Sequence, residues 1–221
     1  MKKAAEVTSI IFHPVLVSFF NFLFILLNIG NHGAVVGFTL MLFLFFTILI
    51  PTFYTFLIVY LDKRNFNWIY FTEMEIEQRT KILAISVIHY LVFLFLVANL
   101  NFVFLGSYNA MISTLIMGMV VVSLLSFVSH FFNLKNSLHA LSLSFFATFY
   151  IIFLWQIPGL GELSSFNKNL LYTGAASNFL ILIPVSISRI YLKSHDKLEI
   201  AAGIFIGIIS PIVLTLLSYG L

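Results

Sequence analysis

Apolar residues run along this chain in long blocks, interrupted by short polar knots. Seven blocks stand out, at 15–29, 34–61, 82–103, 110–132, 140–157, 170–192 and 200–219. A helix needs about 20 apolar residues to cross the hydrocarbon core, and most of these blocks supply that length. A barrel strand would alternate apolar and polar positions, and a stretch such as 38–50 does not. The pattern predicts an all-α fold, a polytopic transmembrane helical bundle of about six to seven spans. His13-Pro14 predicts a break before the first block, and Pro51 a kink inside the second. No internal repeat or low-complexity linker divides 1–221, so a single domain is expected.

Composition narrows the solvent. Of 221 residues, 61% are hydrophobic and 9% charged, and the mean hydropathy is +1.09. Eight acids and eleven bases are too few to solvate the surface of a soluble 25.1 kDa globule. The absence of cysteine removes disulfides and thiolate metal sites. A net charge of +3 is too small to argue for nucleic acid. Lys2 and Lys3 precede the first block without a small-residue cleavage site after it, which predicts an uncleaved first span.

Charge is placed unevenly. If each block crosses once, the N-terminus and the segments 62–81, 133–139 and 193–199 share one side. That side then holds ten of the eleven cations, and the other holds Lys168. Without Arg79, Lys135 and Arg189 the ratio is still seven to one. The positive-inside rule makes the rich side of this integral membrane protein cytoplasmic.

The same side collects the groups able to do chemistry. Ionisable groups at membrane depth are functional candidates by default. Lys135, Ser137 and His139 stand where the fourth block meets the fifth. Arg189 ends the sixth, followed by His195 and Glu199. Arginine offers a rigid fork of donors that matches phosphate, and lysine adds a point charge. Two histidines can divide nucleophile and acid duties. Glu199 follows His195 by four residues, so on a helix its carboxylate can hold one ring nitrogen and leave the other free to attack. This set fits phosphoryl transfer through a phosphohistidine. Metal-assisted hydrolysis fits less well, because acidic ligands for a hard cation are few. No metal and no cofactor is expected. His13, His32 and His89 carry no partner pattern and read as structural, and His130 is left unassigned. Lys193 and Lys197 read as interfacial anchors.

The run from Ser188-Arg189 through His195 and Glu199 to Gly203 resembles the third signature of the type 2 phosphatidic acid phosphatase superfamily. That signature is Ser-Arg, five residues, His, three residues, Asp. Asn136-Ser137-Leu138-His139 resembles its second signature, Pro-Ser-Gly-His, at two of four positions. Arg79 stands for the arginine of the first signature, although Thr72 and Thr80 replace its lysine and proline. The likeness spans about 75–207 and is similar to a membrane branch found in Bacteroidetes-type bacteria. It implies that His195 is the nucleophile, with Glu199 in place of the orienting Asp. It implies that His139 protonates the leaving oxygen, and that Arg189, Ser137, Lys135 and Arg79 hold the phosphate. The implied activity is a metal-independent lipid phosphatase acting in phospholipid metabolism. Its partners would be membrane lipids and a lipid phosphate monoester or diphosphate. The alternative is a non-catalytic lipid-phosphate binder or small transporter, which would not need the His195–Glu199 pair.

Overall fold

The computed structural model describes residues 2–29, 41–63, 74–99, 108–156 and 165–219. All regular structure among them is helical. The helices are α1 (Lys2–Ile11), α2 (Pro14–Ile29), α3 (Ile50–Lys63), α4 (Ile76–Asn99), α5 (Tyr108–Phe131), α6 (Leu138–Gln156), α7 (Ser165–Tyr191) and α8 (Lys197–Tyr219). Residues 106–107 of the expected turn, half of the segment 62–81 and most of the segments 28–33 and 158–169 lie outside the described residues; residues 108–109 already belong to α5, and 76–81 to α4.

Five of these segments are long and apolar enough to cross a membrane, or six if the bent pair α1–α2 counts as one. Their outer faces carry large apolar side chains such as Phe53, Phe95, Leu180 and Phe205, all exposed. Lipid is the solvent that suits such a shell, and the chain is an integral membrane protein. The seventh apolar segment is α6, whose apolar part, Leu138–Ile152, is shorter. Every residue from His139 to Tyr150 is buried. A helix apolar on all faces belongs inside a bundle, and α6 is wrapped by α2, α7 and α8.

Lipid tails are as apolar as leucine, so helices in a bilayer associate through close packing and polar contacts. The α6–α8 pair uses both glycines of a Gly-x-x-x-Gly step. A Cβ added at Gly203 would lie 2.5 Å from Ser137 O, and one at Gly207 would lie 2.5 Å from Leu141 O. No other side chain lets the two backbones approach so closely.

Two prolines shape the N-terminal half. Pro14 ends α1, and α2 departs at 50°. Helix α1 lies before the first apolar block, which the sequence places at 15–29. Pro51 produces a π-helical turn, Phe45–Leu49, immediately before α3. Within it Ile50 N–H donates to Phe45 O. The next bond of that pattern would join residue 51 to Phe46 O, and proline has no N–H to give. His89 Nε2 donates to Phe46 O instead, at 2.7 Å. His89 is therefore structural.

Candidate functional site

The two polar turns flanking α6 and α8 are built alike. Helix α5 stops at Asn133 (φ 54°) and α7 at Lys193 (φ 55°). Leu134 N–H donates to Ser129 O and Asn133 N–H to His130 O; Ser194 N–H donates to Arg189 O and Lys193 N–H to Ile190 O. Both are Schellman stops, in which one left-handed residue reverses the chain. Asparagine tolerates that conformation, whereas a lysine there costs roughly 1–2 kcal/mol. Each turn brings the polar residues after it back beneath the helix just ended.

Helix α8 then starts with a reciprocal cap. Glu199 N–H donates to Asp196 Oδ1 at 2.8 Å, and Asp196 N–H to Glu199 Oε2 at 3.3 Å. The same Oε2 accepts from His195 Nδ1 at 2.7 Å. A carboxylate only accepts, so Nδ1 carries the proton and Nε2 keeps its lone pair. That lone pair faces the Arg79 guanidinium, with Nη1 and Nη2 each 3.5 Å away. Arg79 is fixed by Nε to Met74 O (2.9 Å) and Nη1 to Asn136 O (3.1 Å). Lys135 Nζ lies 3.7 Å from Glu199 Oε1 and donates to Ser194 O at 3.4 Å.

Helix α6 starts at Ser137, against α8. Ser137 N–H donates to Glu199 O at 3.0 Å, and Ser137 O accepts from Leu141 N–H. A serine here usually turns its hydroxyl onto its own helix. Ser137 Oγ is completely buried and has no hydrogen-bond partner. On the opposite wall Arg189, 1% exposed, donates from Nη1 to Ser9 Oγ at 3.4 Å. His139 Nε2 donates to Ser9 O at 3.1 Å.

The seven residues singled out in sequence thus meet in one cluster, five of them buried and Lys135 and Glu199 partly exposed. Arg79, Arg189 and Lys135 bring three positive charges, and Glu199 is the single carboxylate among the described residues that faces them. Burial first, then the cations of Arg79, Arg189 and Lys135, hold His195 well below the ordinary histidine value. Its ring is neutral. Two buried guanidinium groups with a partly exposed lysine beside them make a positively charged site, which suits an anion. An apolar cavity opens beside Arg79 and His139 and runs between α2, α3, α4, α5 and α6. It follows α4 from Arg79 to Tyr90, twelve residues and roughly 16 Å of helix.

Sequence reasoning missed three contributors. Ser9 carries no motif. Asn136 acts through its backbone carbonyl, which any residue would supply. The Gly203–Gly207 step was visible as a Gly-x-x-x-Gly pattern, a known sign of close helix packing. His130, left unassigned above, donates from Nδ1 to Thr80 Oγ1 at 3.0 Å, next to Arg79 in sequence. No protein-family model, curated protein or solved structure matches this chain.

Proposed function

We propose that the protein is an integral membrane phosphatase that cleaves a lipid phosphate monoester or diphosphate through a phosphohistidine on His195. The observation that supports this most is the His195 ring. It is neutral, held by Glu199 through Nδ1, and turned by Nε2 toward Arg79 within a pocket rich in positive charge.

In the first step the Nε2 lone pair attacks phosphorus and the bond to the leaving oxygen breaks. His139 Nδ1 takes the proton of the phosphate monoanion and gives it to that oxygen, and Glu199 stabilises the positive ring that forms. Arg79, Arg189, Lys135 and the spare Ser137 hydroxyl meet the charge on the phosphoryl oxygens. Fixed donors of this kind are usually the largest catalytic contribution. In the second step water attacks phosphorus, His139 Nδ1 takes its proton and passes it to the departing phosphate, and the N–P bond breaks to return neutral His195. The apolar cavity beside Arg79 and His139 favours a lipid leaving group over a soluble one. Phosphatidic acid, phosphatidylglycerophosphate and polyprenyl diphosphate all meet that description. The cation count supports a cytoplasmic face for the site, in what we take to be a bacterial inner membrane. A reporter fused after Leu221 tests the orientation, with a periplasmic signal expected.

The main test is phosphate release by purified protein on those three lipids, with and without EDTA. Turnover is expected on at least one, unaffected by EDTA and abolished by His195→Ala. Turnover that survives His195→Ala would sink the mechanism. Saturable binding of the lipids with no turnover would select the non-catalytic binder.

A further inference from the structure

Helix α1 looks at first like a membrane anchor. Its outer face carries Val7, Ile10 and Ile11, all exposed, and Lys2 and Lys3 stand at its start. Its inner face is different. Ala5 and Ser9 are buried against α7, the helix that carries Arg189.

The reason Ser9 can act on the site lies in how α1 ends. An α-helix leaves its last four carbonyls without intrahelical partners. Here Phe12 N–H donates to Thr8 O and His13 N–H to Ile10 O, and residue 14 is a proline without an N–H. No backbone donor is left for Ser9 O. It accepts from His139 Nε2 at 3.1 Å. A carbonyl has no proton to share, so Nε2 must carry the hydrogen and Nδ1 becomes the nitrogen that exchanges a proton. The hydroxyl of the same residue accepts from Arg189 Nη1 at 3.4 Å.

We propose that Ser9 is a positioning residue, whose carbonyl sets the tautomer of His139 and whose hydroxyl steadies the Arg189 fork. The proposal rests on the phosphatase reading above. The two histidines are then held by complementary means. Glu199 takes Nδ1–H of His195 and frees Nε2 for attack. Ser9 O takes Nε2–H of His139 and frees Nδ1 for the leaving oxygen. Helix α1 is part of the reaction site, and the His13-Pro14 break is what makes its carbonyl available.

The two roles of Ser9 separate experimentally. Full-length protein labelled with 15N-histidine, in detergent, reports ring protonation, with His139 assigned by comparison with His139→Gln. Inorganic phosphate serves as a competitive probe of the Arg189 side. In the wild type His139 should show a protonated Nε2 and a bare Nδ1. Ser9→Ala keeps the carbonyl, so this signature should stay while the inhibition constant for phosphate rises roughly three- to tenfold. Ser9→Thr should restore it. Ser9→Leu keeps the segment apolar but lifts α1 from α7. The His139 signature should then become mixed, and kcat should fall by roughly a hundredfold. A wild-type His139 signature and wild-type kcat in Ser9→Leu would overturn the proposal and leave α1 as an anchor. If the wild type hydrolyses no lipid phosphate, the phosphatase reading falls, and the proposed mechanism with it. The Ser9–His139 contact is still judged on the nitrogen signature alone: dependence on Ser9 upholds it and independence refutes it.

Discussion

The amide clamp between α2 and α7 and the cationic cluster at the starts of α6 and α8 are both polar groups removed from solvent. Their hydrogen bonds are arranged differently. In the clamp, Asn178 Nδ2 donates to Asn21 Oδ1 at 2.8 Å and Asn21 Nδ2 donates back to Asn178 Oδ1 at 3.2 Å. The second hydrogen of each amide goes to a carbonyl of its own helix, Val17 O or Gly174 O, at 2.8 Å. Tyr150 OH completes the set on Asn21 O. Both amide groups are satisfied by protein, so nothing is left for a ligand. The cationic cluster has surplus. Among the described residues Ser137 Oγ has no partner, Arg79 approaches His195 only to 3.5 Å, and Glu199 is the one carboxylate beside Arg79, Arg189 and Lys135. A buried polar group that closes on itself holds a fold together; one that does not is waiting for something.

Substitutions can separate the two, and the largest effect is expected at Arg79. Arg79→Lys keeps the charge but loses the fork, which spans Met74 O, Asn136 O and the face of His195. Phosphate release should fall by two to three orders of magnitude, about 3–4 kcal/mol of transition-state stabilisation. If kcat/KM for a hydrolysed lipid stays within threefold, the surplus is structural and the contrast fails.

In the clamp the effect should appear in stability. Asn178→Leu leaves the Asn21 amide buried with fewer partners, at a cost of about 1–3 kcal/mol. The thermal midpoint in detergent should drop while turnover per folded molecule holds. Adding Asn21→Leu should recover part of the loss, because both polar partners are then gone. A double variant less stable than Asn178→Leu alone would contradict the pairing.

Gly203 and Gly207 offer a graded version of the same contrast. Gly203→Ala presses on Ser137 O, and Gly207→Ala on Leu141 O and the Ser144 side chain one turn deeper. Displacement of Ser137 should lower turnover by about tenfold or more. Gly207→Ala should chiefly lower the thermal midpoint. Equal losses of turnover in both would mean that the whole α6–α8 contact, rather than the Ser137 turn, limits the reaction.

The smallest expected effect is on pH dependence. Attack requires neutral His195, and burial with three nearby cations holds it below its ordinary value. The acid limb of kcat/KM that belongs to His195 should therefore lie below the usual histidine range. Lys135→Met removes one of those cations, so this limb should move to higher pH. Ionisation of the substrate is common to both proteins and cancels in the comparison. A shift to lower pH would show that Lys135 acts mainly by restraining Glu199.

Much of the fold was legible along the chain. A helix crossing lipid must satisfy its own backbone and present apolar side chains, so each span leaves a long apolar block in the sequence. Pro51 was read as a kink; the finding is a π-helical turn whose orphaned carbonyl His89 takes up. Helix α1 escaped because ten residues of mixed polarity give no span signal. The 195–199 spacing implied a His–Glu contact on one helix face; His195 instead precedes α8, and the capping turn through Asp196 brings it to Glu199. The contact is present at 2.7 Å, and Glu199 also caps α8, a role visible in the Asp196-x-x-Glu199 pattern.

By itself the sequence determined what is periodic or local: apolar blocks, proline breaks and the four-residue spacing of His195 and Glu199. Each of these depends on residues within a few turns of one another. Tertiary structure alone decided the pairings across the bundle. It decided that Arg79 reaches over His195, 116 positions away, and that Ser9 meets His139 across 130 positions. It decided that Asn21 closes on Asn178 while Ser137 Oγ stays open. The physical reason is that a hydrogen bond depends on two atoms meeting at about 3 Å. No pattern along one chain segment encodes which distant helix will bring the second atom there.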